Sequence, residues 1–333
     1  MREFTTLLLQ TLLVLAATGV STGAEAQATA KDAYPAKPIR VVVMGPPGGT
    51  PDIQVRMLAE KIAPRLGEQL VIDNRPGAAG NIAMGIVARA PSDGYTVIIA
   101  TVGTWTVNPY LYKLPYDVLK DFAPIIHVAT TPAVLVVHPS LPVKSVKELI
   151  ALARRKPGEL NYGSAGVGGF GHVSAELFAV MTKTRMTQVS YKGSASALSD
   201  LVGGHIQVLF NSAIVTIPQI TNGRVRALAT TGATRLAILP DLPTVAEAGV
   251  PGYENTTWSG IAAPARTPQP IIDRLNSEFA AALQMPDIKE RYAAAGSTVT
   301  GGTPRQFQDI LKSELAKFGK LIKEAGITLA PGG

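Results

Sequence analysis

The sequence predicts an α/β protein of two domains, each a mainly parallel sheet flanked by helices. Three observations predict it. Short β-branched runs alternate with helical stripes along nearly the whole chain. The length, 333 residues, fits about two domains, and 46% hydrophobic residues suffice for their cores. Charged residues reach only 17%, below the usual quarter, which suits strands buried on both faces. No linker-like tract separates the domains, so strands are expected to cross between them.

The elements follow in order. Ile39–Met44 is a short strand stopped by Gly45-Pro46-Pro47-Gly48-Gly49. A helix starts at Thr50-Pro51, with Thr50 as N-cap, and Leu58, Ile62 and Leu66 give it an apolar stripe. Gln69–Asp73 is the next strand, Arg75–Gly80 breaks the chain before a helix near 81–90, and Tyr95–Ala100 is the third strand. Ser145-Val146-Lys147-Glu148 is a capping box whose helix ends at Lys156-Pro157-Gly158. Further strands are expected at 186–191, 206–210, 225–230 and 257–263. A second capping box lies at Thr244–Glu247, and Thr267-Pro268 and Thr303-Pro304 repeat the Thr-Pro helix start. The last helix carries a core-facing stripe of Phe307, Ile310, Leu311, Leu315, Phe318 and Ile322. The 25 prolines and 32 glycines fall between these segments and punctuate them.

The N-terminus reads as a secretory signal over residues 1–26. Arg2 is followed by the apolar runs Leu7–Leu9 and Leu12–Leu15, then by the cleavage pattern Ala24-Glu25-Ala26, with Ala28 as the alternative site. The apolar stretch is too short for a membrane span, so a periplasmic protein is expected. The chain has no cysteine, which excludes disulfides, thiolate nucleophiles and cysteine metal sites. The net charge of +7 is spread out, its longest basic run is Arg154-Arg155-Lys156, and aromatics are only 6%. That pattern argues against nucleic acid and is compatible with a small anion.

Ligands in parallel sheets bind beyond the carboxyl ends of strands, so the strand-to-helix turns are the candidate sites. In the first, Gly48, Gly49 and Thr50 precede helical amides that favour an anion. An ordinary tight turn explains it equally well, and Asp52 fits that reading better because a carboxylate repels an anion. The second turn, Gly163–His172, contains Ser164 and spells G-x-G-x-x-G with Gly166, Gly168 and Gly171. A dinucleotide site would want an acid at the end of the next strand, where Tyr191-Lys192 stands instead. Anion binding by backbone amides survives that objection. Tyr191–Ala195, with Lys192, and Asn211-Ser212 are the third and fourth polar turns; a solvated lysine and a helix cap are their ordinary roles. G-x-S-x-G, H-E-x-x-H and Walker loops are missing. His127, His138, His172 and His205 lack metal-ligand spacing. No cofactor, no metal and no catalytic residue is therefore expected.

Several motifs in one order resemble the substrate-binding proteins of tripartite tricarboxylate transporters, the Bug or TctC-like family. They are Tyr34-Pro35, Pro38-Ile39, Pro47-Gly48-Gly49 with Asp52, Asn74–Ala78, Asp93–Thr96, Asn108-Pro109, Leu114–Asp117 and Asp121-Phe122. The Gly163–His172 turn, Tyr191-Lys192-Gly193, Leu239-Pro240-Asp241, Pro243-Thr244 and Ala263-Pro264 complete the match, which runs from about Tyr34 to Leu329. The resemblance implies a two-lobed Venus-flytrap, type II-like periplasmic binding protein that delivers a small carboxylate to membrane permease subunits. It implies ligand contacts at Gly48, Gly49 and Thr50 on one side and Ser164, Gly166, Gly168 and Gly169 on the other, partly through water. It gives Asp52 the role of ordering its turn. His172 and Asn211 complete the candidate ligand-binding set. Gly169 stands where the family often has Ser, and Ala195-Ser196 where it often has Ala-Pro.

The expected lobes are 34–130 plus 233–333 and 131–232, crossing near Ala129–Val134 and Ala229–Ala233, in a monomer that closes on its ligand. Rival readings are a periplasmic hydrolase or other enzyme on carboxylated substrates, and a sensory binding protein. The ligand itself, whether dicarboxylate, tricarboxylate, acidic amino acid, aromatic carboxylate or amide, is not written in these motifs.

Overall fold

A computed structural model describes residues 34–325; the expected signal segment and its expected cleavage after Ala26 lie outside the described residues. The strands β1 (Ile39–Val43), β2 (Leu70–Asn74) and β3 (Thr96–Thr101) are β-branched runs, and β1 pairs in parallel with both neighbours, Ile39 opposite Leu70 and Val41 opposite Val97. Between them run α1 (Thr50–Leu66) and α2 (Asn81–Ala88). Gly67 ends α1 in the left-handed conformation at φ 75°, as a helix-terminating glycine does. A π-type turn at Gly103–Val107 and the short α3 (Asn108–Leu111) lead into β4 (Phe122–Val137).

β4 organises the sheet. Its first part, Phe122–Pro132, pairs antiparallel with β9 (Thr256–Pro264) and also with β10 (Thr298–Gly301). Its second part, Ala133–Val137, pairs antiparallel with β7 (Val208–Ser212) and, over Val134–Val137, with β8 (Arg226–Thr230). The partners change at Pro132, a residue without an amide hydrogen to keep the ladder going. Beyond β7 lie β5 (Asn161–Ser164) and β6 (Thr187–Ser190), parallel to each other, with β5 parallel to β7. The order is β2-β1-β3-β9-β4-β7-β5-β6, with β8 and β10 also on β4. The α/β architecture is as expected. Parallel pairing holds on the outer flanks, whereas the centre is antiparallel because β9 enters between β3 and β4, which makes the sheet mixed.

The remaining helices are α4 (Val146–Arg155), α5 (Phe170–Thr182), α6 (Ser194–Val202), α7 (Ala213–Thr221), α8 (Gln269–Gln284), α9 (Pro286–Ala294) and α10 (Pro304–Ala325). Ser145 caps α4, accepting the Glu148 amide at 3.2 Å, and Thr303 caps α10 in the same way. Thr50 is a correction: Gly49 is the N-cap and Thr50 the first helical residue. Thr267 likewise stands one residue before the Pro268 cap of α8. The Thr244–Glu247 box forms reciprocally, at 3.0 and 2.9 Å. It opens only one turn, because Gly249 at φ 119° and Pro251 follow.

One apolar core joins the first sheet half to α2 and α10 around Trp105, which meets Phe122 edge-on at 5.2 Å. Two more lie on the faces of the second half, around Phe178–Phe210–Tyr253 and around Leu201–Leu209. In β4, His127 stacks on Phe307 at 5.9 Å and meets Trp258 edge-on, 7% exposed. Burial pushes its imidazole down to about 4. A histidine held neutral in the fold loses stability as pH falls below its ordinary value of 6.5, and the loss is complete below about 4. The cost is about 3 kcal/mol. His127→Phe should remove that part of the acid dependence, read as a flatter profile of urea midpoint against pH between 6.5 and 4.

Candidate functional site

β1, β5, β6 and β7 all end at one cleft, of about 650 Å³. Five helices start on its wall, since the N-cap residues Gly49, Gly80, Gly169, Gly193 and Ser212 all line it. Four of these caps are glycines with no side chain to give, and the Ser212 hydroxyl makes no cap bond. Apart from the Asn81 amide, which bonds Ala78 O, and Pro51, which has no amide hydrogen, the first-turn amides of these helices have no side-chain cap to take them up, and their dipoles favour negative charge by about 0.3–1 kcal/mol each. Lys192, exposed at the rim, is the one charged side chain among the described residues lining the cleft. The arrangement can hold an anion by oriented dipoles, with no acid to repel it.

The first turn is shaped by a carboxylate turned away from the cleft. Asp52, 3% exposed, accepts from the Gly48 amide at 2.9 Å, Arg56 Nε at 3.0 Å and Asn74 Nδ2 at 3.0 Å. The Asn74 carboxamide also donates to Gly45 O. Burial alone would raise the Asp52 pKa, but the bonds from Arg56, the Gly48 amide and Asn74 outweigh it and hold the carboxyl below its ordinary range. Gly48 and Asp52 do not line the cavity; Gly49 and Thr50 do.

The second turn is built in a similar way. Gly166 and Gly168 sit at φ 102° and 79°, where glycine is the residue that fits. The Ser164 hydroxyl donates to Gly166 O at 3.1 Å and accepts from Gln188 Nε2 at 2.7 Å, so it orders the turn while lining the cleft. His172 Nδ1 accepts the Gly168 amide at 3.1 Å. That requires a neutral ring, and burial, against the pull of Glu176, keeps its pKa below the ordinary value. Ser164, Gly166, Gly169 and Asn211 line the cavity; Gly168 and His172 stand behind it. Because its hydroxyl is committed within the turn, Ser164→Ala is expected to weaken ligand binding by less than about tenfold. A complete loss in calorimetry, with the fold intact, would contradict this.

Sequence reasoning passed over part of the wall. Ala78, Ala79 and Gly80 line it, with Ala78 and Ala79 both in the left-handed region at φ 46° and 53°, a conformation that costs about 1–3 kcal/mol for a non-glycine residue. The Ala79 carbonyl is held by Thr104 Oγ1 at 3.3 Å and Asn108 Nδ2 at 3.0 Å. The Arg75–Gly80 break was the available signal, but alanine gives no hint of strain.

The two sheet halves touch across the cleft. Tyr112 donates its hydroxyl to Val167 O at 2.6 Å. A Cβ on Gly166 would lie 3.5 Å from the Ala79 Cβ, and a Cβ on Gly193 would overlap the Pro46 ring.

The chain is similar to known proteins. The sequence profile of the tripartite tricarboxylate transporter family receptor covers residues 54–327. A protein from the tcbD-tcbE intergenic region of Pseudomonas sp. strain P51 is 40% identical over 295 residues, 88% of each chain. The structure of R. palustris Rpa4515 with adipate superposes with a TM-score of 0.87 at 41% identity, over 89% of this chain and 99% of that one. MatC from Rhodopseudomonas palustris with bound malate superposes with 0.83 at 30% identity, over 87% and 100%.

Proposed function

The chain belongs to the tripartite tricarboxylate transporter receptor family, and on that premise we propose that it is an exported solute-binding protein that captures a small carboxylate in its cleft. The observation that carries this reading is the convergence of five helix starts, none closed by a side-chain cap, on one cleft that has no acidic wall residue among the described residues. The carboxylate is held by the amides around Gly49 and Thr50 on one side and those around Ser164, Gly166 and Gly169 on the other. The adipate and malate of two relatives support that ligand class.

The sheet halves act as lobes hinged where β4 changes partners at Pro132; against the expected bounds of 34–130 plus 233–333 and 131–232, Leu236, Val245, Val250 and Tyr253 pack in the cores of the second half. The contacts of Tyr112 with Val167 and of Pro46 with Gly193 are those of the closed form. Ligand touching both lobes shifts the equilibrium to that form, and the closed face is what the permease subunits read. The protein works in the periplasm as a monomer, without a cofactor and without turning over its ligand.

A thermal-shift screen of carboxylates tests this reading. A ligand at about 100 times its Kd adds about 2.7 kcal/mol to the native state, which raises Tm by about 4 °C for a chain of this size. No shift with any mono-, di- or tricarboxylate would refute it.

A further inference from the structure

Four residues in a row hold positive φ where the chain meets the cleft: Gly77 at 126°, Ala78 at 46°, Ala79 at 53° and Gly80 at 91°. Glycine takes that region freely, but an alanine Cβ crowds the backbone there. Strain of this kind gathers at clamps and switches. The turn closes on itself through the Gly80 amide, which bonds Gly77 O at 2.9 Å, and the Asn81 amide, which bonds Ala78 O. Ala79 O is left for side chains. Asn108, fully buried, donates Nδ2 to it at 3.0 Å and to Asn81 Oδ1 at 2.7 Å, and Thr104 Oγ1 donates to it at 3.3 Å. The Tyr116 hydroxyl also donates to Asn81 Oδ1, at 2.8 Å.

The same group reaches the second sheet half. A Cβ on Gly166 would lie 3.5 Å from the Ala79 Cβ, so Ala79 faces the bare side of the glycine-rich turn. Asn108 Oδ1 is buried without a hydrogen-bond partner among the described residues, and a Cβ on Gly168 would lie 3.1 Å from it. Ala78, Ala79, Gly80 and Thr104 line the cleft, whereas Asn108 does not. Resting on the reading of this cleft as a ligand site that closes, we propose that Asn108, helped by Thr104, is a positioning residue for ligand binding. It holds the Gly77–Gly80 turn in the left-handed shape that completes the cleft wall against Gly166. The carboxamide offsets the strain of the two alanines before any ligand arrives. Without it the alanines relax to negative φ and the start of α2 at Gly80 shifts with them. Affinity then falls with the fraction of chains that keep the turn.

Glycine separates holding from mere packing, because a glycine turn needs no holding. The test is calorimetric titration with succinate, adipate and suberate on four proteins: unaltered, Asn108→Ala, the double variant Ala78→Gly/Ala79→Gly, and the double variant with Asn108→Ala added. A thermal melt of each sample reports its folding. Asn108→Ala should weaken binding of the tightest acid by about tenfold or more in the unaltered background. In the glycine background the same change should cost less than about threefold, the gap being the coupling between Asn108 and the strained turn. If Asn108→Ala does not fold, Thr104→Val decides in the same two backgrounds, with a loss of about threefold in the first and none in the second. Equal losses in both backgrounds, or no loss in either, would overturn the holding role and leave the carboxylate reading intact. No binding of any acid by the unaltered protein would overturn that reading and, with it, the part of the turn in binding.

Discussion

Replacing Gly193 with alanine is expected to weaken ligand binding by about 10- to 100-fold and to leave the Tm of the ligand-free protein unchanged. Gly193 is at φ 174°, extended backbone that alanine adopts freely, so the change stores no local strain. The nearest atoms its new methyl group would meet are those of the Pro46 ring, which comes from the other sheet half. Overpacking of this kind costs about 1–3 kcal/mol. In the proposed open form the two surfaces part and the cost vanishes. It falls on the closed form alone and is subtracted from the apparent affinity, tenfold for each 1.4 kcal/mol. Calorimetry and thermal melts on the same sample separate the two effects. A lower Tm with unchanged affinity would mean that Gly193 and Pro46 pack in every state and that no closure occurs here.

Asp52→Ala should lower both stability and affinity, although the carboxylate does not line the cleft. It removes the acceptor shared by the Gly48 amide, Arg56 and Asn74. The loss should be about 2 kcal/mol, since hydrogen bonds to a charged group are each worth about 1.5–3 and the half-exposed Arg56 regains water. Without that clamp the start of α1 is no longer fixed, and binding should drop at least about tenfold. The sign with pH is fixed by the lowered pKa: the contribution is present above the ordinary carboxylate range and is lost as pH falls through the folded value. Asp52→Asn, which keeps one acceptor oxygen, should lose less of both. Urea unfolding beside calorimetry checks this, and an unchanged urea midpoint would contradict it.

Much of the fold was legible because its signals are local. The β-branched runs of β1 and β3 and the stripe of α10 announce themselves in sequence, and in that stripe Phe307, Leu311, Leu315, Phe318 and Ile322 are all buried. β4 was not legible, since Pro124 and Pro132 speak against a long strand; bulges and the change of partners absorb them. The helix starts at Gly49 and Gly169 were readable as turns because glycine marks backbone need. The part of the wall from Ala78, Thr104 and Tyr112 was not, because only sheet topology brings those residues opposite the second half. Asn211-Ser212 reads as a helix cap in sequence, and its geometry departs from that role: Ser212 stands at the cap position and leaves its hydroxyl out of it.

The central claim is that the cleft recognises a carboxylate through helix starts of both sheet halves. Calorimetric titration with linear dicarboxylates of four to eight carbons, each beside its uncharged diamide, tests it most directly. One acid should bind at one site per chain and the diamide of the same length should bind at least about 100-fold more weakly, because the dipoles reward charge. Equal affinity for acid and diamide, or no heat from any acid, would contradict the account.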